Sequence, residues 1–387
     1  MNLLLASLIA LLPVEPTSAL DRRIAERGAA MIDRLVEEHE VPGVSVALVL
    51  GDDATGRPLT FAAGFADREA ERRMTPADRL LSGSIGKTYV TAAAHHLMLA
   101  GELDFDAKAI EWFEGEAWFE RLPNAKEFTV RQLLRHQTGI PRHVFVPEFL
   151  PDCASDPDRV WQPRELLSYV FDADPLFPAG EAWAYADTNY IIVGMILEKQ
   201  TGTPFYDYVR EHLLDPHQLD DTVPTDSRRI EGLAQGVIAS PAFEGMPART
   251  LEDGVFFLNP QFEWCGGGYA STALDLARWA HVLYRGEGLP GTDGTYLASM
   301  LDAVPVRPGL PIEYGLGVFV RPTEHGPLHG HDGFMLGYQA TMGYLPDARV
   351  AFALMMNTDD GRILGKPLHL VALDLVKIIE EERAAPR

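Results

Sequence analysis

Three clusters in this chain carry side chains suited to covalent chemistry at a carbonyl carbon. In the first, Ser84-Ile85-Gly86-Lys87, a serine and a lysine stand three apart just ahead of an Ala-rich run. Residues at that spacing share a face at the start of a helix, so Lys87 reaches the Ser84 hydroxyl. A serine hydroxyl is a weak nucleophile and needs a base beside it. The helix N-terminus adds backbone N–H groups and a positive field for a developing oxyanion. Lysine ordinarily titrates near a pKa of about 10.4, so base work near neutrality demands a depression of roughly three units, about 4 kcal/mol. Taken alone, the pair reads as a helix N-cap followed by a solvated lysine, since about one such match arises by chance in a chain of this size.

The second and third clusters are Tyr185-Ala186-Asp187 and His331-Asp332-Gly333. Tyr185 reads either as an acid–base group or as a core aromatic like its neighbours Phe177, Trp183 and Tyr190. Asp187 stands just before a helical pattern and fits its N-cap. His331 reads as an active-site or a structural histidine. A metal reading competes here, because His325, His329 and His331 cluster and His329-x-His331 echoes the H-x-H-x-D-H zinc signature. That signature fails at Gly333 and Phe334, and no second group of ligands surrounds it. No metal or other cofactor is expected.

These clusters need a framework, and the pattern of elements supplies one. Residues 21–38 repeat apolar side chains at helical spacing, although Gly28 falls on the apolar face. Residues 44–50 alternate as a strand, and the turn Gly51-Asp52-Asp53 leads to a second strand over 59–65. From about 84 to 260 helices are expected, including 88–99, a segment from Thr129 that stops at Gly139 and Pro141, and 189–199. Strands return at 339–345 and 350–356 around Pro346-Asp347-Ala348. A last helix carries Leu368, Val371, Ala372, Leu375, Ile378 and Ile379. This order predicts an α+β fold: an antiparallel sheet covered by N- and C-terminal helices, with an inserted helical domain. The sheet part spans about 20–83 and 261–387, and the helical part about 84–260.

Composition narrows the partners. With 387 residues, 47% of them hydrophobic, the chain can bury a sizeable core. A net charge of −23 repels nucleic acid and anionic membranes, so neither is an expected partner. A small molecule or short peptide is. The apolar run at 3–12, with Thr17-Ser18-Ala19 behind it, resembles a signal peptide over 1–19 and implies a periplasmic or secreted protein; the alternative is an apolar N-terminal arm packed on the domain of a cytoplasmic one. It is too short to span a bilayer, and no other segment suffices. Cys153 and Cys265 form no CxxC pattern; they make one bridge or two independent buried thiols.

Taken in order, Ser84-x-x-Lys87, Tyr185-Ala186-Asp187 and His331-Asp332-Gly333 resemble the motif series of the serine β-lactamase and penicillin-binding-protein superfamily. The resemblance is to the branch of class C β-lactamases, D-Ala-D-Ala carboxypeptidases, D-aminopeptidases and related esterases. Further stretches match it at 129–141 (TVRQLLRHQTGIP), 185–194 (YADTNYIIVG), 267–279 (GGYASTALDLARW) and 330–338 (GHDGFMLGY), so that it covers about 41–358. It implies that Ser84 forms an acyl-enzyme and that Lys87 and Tyr185 share base and acid duties. It further implies that His331 hydrogen-bonds or electrostatically tunes Tyr185. The oxyanion hole would be the backbone N–H of Ser84 and of Phe334, and Gly333 would let substrate approach the strand edge.

Two positions depart from the family's pattern. Asp187 replaces the usual Asn; a carboxylate only accepts hydrogen bonds, which favours a protonated Lys87 and moves base work onto Tyr185. Asp332 replaces Thr or Ser and would repel a substrate carboxylate unless it points away. The expectation is therefore a hydrolase of small carboxylic esters or short amides and peptides, D-residues included. A D-Ala-D-Ala carboxypeptidase, a class C-like β-lactamase and a non-catalytic binding protein are the alternatives.

Overall fold

The computed structural model describes residues 18–51, 56–240, 245–286, 288–289 and 294–385. The apolar run at 3–12 and most of the expected signal peptide lie outside the described residues, as do Asp52 and Asp53 of the first turn.

Helix α1 (Ala19–His39) starts where the Ser18 hydroxyl accepts from the Asp21 N–H, and ends at Glu40 in left-handed conformation. Gly28 is present for packing: a Cβ there would lie 2.8 Å from the Phe61 ring. Strand β1 (Gly43–Leu50) follows, then β2 (Arg57–Asp67) and the two-residue β3 (Arg72–Arg73). Near the other end come β4 (Val304–Pro305), β5 (Glu313–Tyr314), β6 (Phe319–Thr323), β7 (Gly326–Met335), β8 (Tyr338–Leu345) and β9 (Val350–Met356). They form one antiparallel sheet in the order β3-β2-β1-β9-β8-β7-β6-β5-β4. In its centre Val46 stands opposite both Phe61 and Leu354.

Every residue of β1 is buried, because both faces of the sheet are covered. On one face Val44, Val46, Leu48, Phe352 and Leu354 meet α1 and the C-terminal helix, which runs Leu368–Ala384. On the other, Ala47, Val49, Ala351, Ala353 and Met355 meet the helix Ala273–Arg285 and the larger core beyond it. In chain order these helices are α1; α2 (Lys87–Leu99); α3 (Asp187–Thr201); α4 (Ala273–Arg285); and α5 (Leu368–Ala384). Helices α2 and α3 are buried over most of their length and pack against each other inside that core.

The expected terminal helices, hairpin strands and C-terminal strand pair are all present. The expectation of helices throughout 84–260 needs correction. Short strands at Val223–Pro224, Leu251–Glu252 and Val255–Phe256 interrupt that block. The first of them joins Leu80–Leu81 and Tyr269–Ser271 in a small sheet. Leu80 pairs with Ser271, which brings the segment before Ser84 alongside Gly266-Gly267-Gly268. Cys153 and Cys265 are two separate buried thiols.

Candidate active site

Residues Gly83–Gly86 form a tight turn that runs directly into α2 at Lys87. Ser84 caps neither: its hydroxyl oxygen accepts from Lys87 Nζ at 3.1 Å. Lys87 is fully buried, so the solvated-lysine reading falls as well. Strand β7 lies flush against this turn. Gly83 has φ 50°, and a Cβ on it would sit 2.4 Å from the Phe334 carbonyl oxygen. A Cβ on Gly333 would come within 1.9 Å of the Ser82 carbonyl oxygen. Gly333 thus answers to the protein's own backbone as well as lining the cleft beside Ser84.

Lys87 Nζ meets three acceptors: Ser84 Oγ, Asp187 Oδ1 at 2.6 Å and the Gly266 carbonyl oxygen. An ammonium has three N–H bonds, and all three are engaged. Burial is the largest single influence and pushes the lysine's pKa down, but the charge and hydrogen bond of Asp187, with the Tyr185 and Glu263 charges, together outweigh it and the outcome is a raised value. Asp187 is also gripped by Arg142, whose Nε and Nη2 donate to Oδ2 at 3.0 and 2.7 Å. Burial would raise this carboxyl, yet Lys87 and Arg142 hold it far below the usual carboxylate range. The N-cap expectation for Asp187 is corrected accordingly. It is the first residue of α3, and its carboxylate faces two cations rather than the helix backbone.

Tyr185 lies beside this cluster, its ring centroid 4.9 Å from Lys87 Nζ and 5.2 Å from Arg142 Cζ. Its hydroxyl is buried close to Ser84 and Lys87 without completing a hydrogen bond of good geometry to either. Burial raises its pKa and the Lys87 charge works against that rise. His331 hydrogen-bonds elsewhere than expected. Its Nδ1–H donates to the Asp332 carbonyl oxygen at 2.6 Å, so the neutral ring accepts at Nε2 from the Tyr314 hydroxyl at 3.1 Å. Burial and the Lys87 charge depress its pKa to about 3. His331 therefore contacts Tyr185 only ring to ring, at 6.2 Å between centroids.

Asp332 points to the other side of β7, as strand alternation requires. Arg321 Nη2 donates to its Oδ2 at 2.5 Å and Thr341 Oγ1 to its Oδ1 at 2.8 Å, with His369 Nδ1 3.8 Å away. Partial burial would raise this carboxyl, but the Arg321 charge keeps it below the usual range. The repulsion expected toward a substrate carboxylate is thus offset within the protein. The three histidines of the metal reading also disperse: His325 reaches Glu380 at 2.9 Å, and His329 packs near Tyr284. Among the described residues no three metal-ligating side chains converge.

Ser84, Arg142, Trp183, Tyr185, His331 and Phe334 line a cleft of about 670 Å3 that continues past Asp332 to residues 361–369. Sequence reasoning missed Arg142, Tyr314, Arg321 and the Gly266 carbonyl. Arg142 directly follows the 129–141 stretch, yet no spacing ties it to Asp187. Tyr314 and Arg321 lie on strands too short to show a pattern.

A turn-borne serine bonded to a buried lysine, with a tyrosine and a strand histidine across the cleft, defines a serine hydrolase built on a sheet-and-helix frame. The chain belongs to the beta-lactamase family, whose model matches residues 29–374. It is 26% identical to penicillin-binding protein 4 of Amycolatopsis lactamdurans, over 84% of this chain and 83% of that one. It is 22% identical to the D-aminopeptidase of Brucella anthropi, over 86% of this chain and 59% of that relative's length. The fold matches that of a D-amino acid amidase from Ochrobactrum anthropi SV3, crystallised with L-phenylalanine amide. The TM-score is 0.77 at 23% identity, over 95% of this chain and 100% of that one.

Proposed function

We propose that this protein hydrolyses small carboxylic esters and short amides or peptides, D-aminoacyl amides among them, through an acyl intermediate on Ser84. The observation that carries this reading is the triple engagement of Lys87 beneath the Ser84 hydroxyl. Held as an ammonium, Lys87 has no lone pair with which to take a proton; it acts by donating to Oγ and steadying charge there. Because Ser84 Oγ accepts from Lys87, its own proton is available to the nearby Tyr185 oxygen. Lys87 and Arg142 both favour the phenolate form of Tyr185 that this transfer requires.

The steps then balance. Tyr185 phenolate takes the Ser84 proton as Oγ bonds to the carbonyl carbon, and gives it to the departing alkoxide or amine as that bond breaks. In deacylation Tyr185 takes a proton from water as the water attacks the acyl carbon. It returns that proton to Ser84 Oγ as the ester bond opens. The Ser84 backbone N–H, at the head of the turn, supports the oxyanion, with the Phe334 backbone packed against Gly83 beside it. His331 holds Tyr314 against the Tyr185 ring rather than exchanging protons.

Pairing of Asp332 with Arg321 favours a second reading, in which substrates bearing a carboxylate are also accepted, such as D-Ala-D-Ala peptides or β-lactams. One experiment addresses the main reading. A fluorophosphonate probe is expected to label the wild type once, and Ser84→Ala to lose both labelling and p-nitrophenyl ester turnover. Turnover persisting in the alanine variant would remove Ser84 as nucleophile. A panel of D-aminoacyl amides, D-Ala-D-Ala peptide and nitrocefin then separates the two substrate readings, and a labelled protein inert to all of them would favour a binding role.

A further inference from the structure

Two features of one segment stand outside the chemistry above. Residues Pro260–Gly266 form a kinked turn in which Trp264 adopts φ 34° and ψ −117°, left-handed space that a bulky side chain rarely occupies. Strain of this kind persists only where the surroundings over-determine it. The kink places a polar group on each side of Trp264 against the nucleophile turn or its lysine. On one side the Gly266 carbonyl bonds Lys87 Nζ. On the other, the Glu263 carboxylate is tucked beneath the nucleophile turn. A Cβ on Gly267 would lie 2.5 Å from Glu263 Oε2 and 2.6 Å from the Gly83 carbonyl. Only a bare glycine Cα separates this carboxylate from the turn that holds Ser84.

Glu263 makes no ion pair within 4 Å among the described residues. Its charge acts on Lys87 of α2, on Arg142 of the loop after residue 141, on Asp187 of α3, and on the buried Tyr206 hydroxyl. The small cavity beside it is lined by Thr225, Tyr269 and Gly83. Counted together, Lys87 and Arg142 bring two positive charges while Asp187 and Glu263 bring two negative ones. The cluster is neutral with Glu263 ionised and carries one net positive charge with it protonated.

We propose that Glu263 is a positioning residue for acyl transfer at Ser84, acting through Lys87 and setting the net charge of the site from beneath the nucleophile turn. Ionised, it completes the neutral cluster and holds the ammonium in place. Protonated, it leaves a positive cluster that favours the Tyr185 phenolate. Burial, and then repulsion from Asp187, push its carboxyl up to about 7, so the change of charge falls near neutrality. The assignment rests on Ser84 being the nucleophile.

The test is the pH dependence of the fluorophosphonate labelling rate for wild type, Glu263→Gln and Glu263→Asp, with Ser84→Ala as control. The wild-type profile is expected to bend across roughly pH 6–8. In the Gln variant the bend disappears and the rising limb moves to lower pH by roughly half a unit to one unit, because a nearby negative charge is gone. The Asp variant, which keeps the carboxylate, retains the bend. Wild-type and Gln profiles of one shape, differing only in height, would overturn the proposal. Should the Gln variant not fold, a wild-type profile without a bend across that range overturns it equally. Labelling of Ser84→Ala would instead undo the nucleophile assignment, whatever Glu263 does.

Discussion

At Lys87, three N–H bonds meet three acceptors, and one of those acceptors, Asp187, also neutralises Arg142. Removing one partner from such a buried group leaves uncompensated charge, so Asp187→Asn is expected to lower stability by about 3–5 kcal/mol near neutral pH, read by urea unfolding. The acid limb of stability should flatten too. A carboxyl held below its ordinary value stabilises the fold above the unfolded pKa, and that stabilisation is lost as pH falls through the folded value. Unchanged stability in the Asn variant would remove Asp187 as keystone of the cluster. For activity, a base that must shed a buried phenol proton predicts kcat/KM rising with pH from neutrality into the alkaline range; an acidic optimum would exclude Tyr185 from that role. Singly, each site motif had a bland reading; that Ser84, Lys87, Tyr185 and His331 converge was legible in the sequence because their motifs occur in the order of a known family series. The partners that decide their charge were not. Arg142, Glu263 and Arg321 reach the site from separate loops and a neighbouring strand, and no local pattern marks a charge that tertiary folding will pair.

Among the elements, β7 and the Gly83–Gly86 turn touch backbone to backbone, with no side chain to yield. Gly333→Ala is expected to force the two apart, lowering the fluorophosphonate labelling rate at least tenfold and stability by about 1–3 kcal/mol, as overpacking does. A variant that labels at the wild-type rate would show that the contact is not needed to set Ser84. Helix α4 offers a second test. Its Asp275 carboxylate accepts from the Asp221 N–H at 2.8 Å and the Thr222 hydroxyl at 3.2 Å. Burial, then the Asp221 charge, raise it to about 7. A carboxyl with a raised value favours the fold while protonated, and that contribution fades as pH rises through about 7. Asp275→Asn should therefore show a shallower fall in melting temperature across roughly pH 4–7 than wild type. Elements with long periodic patterns, such as α1, β1, β9 and α5, could be read from the chain. The two-residue strands at Val223–Pro224 and Leu251–Glu252 could not, because so short a run holds no period and forms only through its partner.

The whole molecule is organised by one sheet with a core on each face; the inner core carries the nucleophile turn, and the outer one meets the cleft at its far end, at Leu368. Leu375 of α5 belongs to the outer core with Val46 and Leu354, whereas Ile85 and Tyr190 belong to the inner one with the site. Leu375→Ala should cost about 2–5 kcal/mol in stability while leaving the labelling rate at Ser84 near wild type. A parallel loss of labelling at temperatures where the variant is fully folded would show that the two faces are coupled. The central strand β1 hydrogen-bonds to β9, with Val44 facing Met356 across some three hundred residues of intervening chain. A ribosome delivers β1 some three hundred residues before its partner, and long-range pairing of this kind cannot close sooner. Until β7 has been made, Ser84 and Lys87 exist without the strand that frames them.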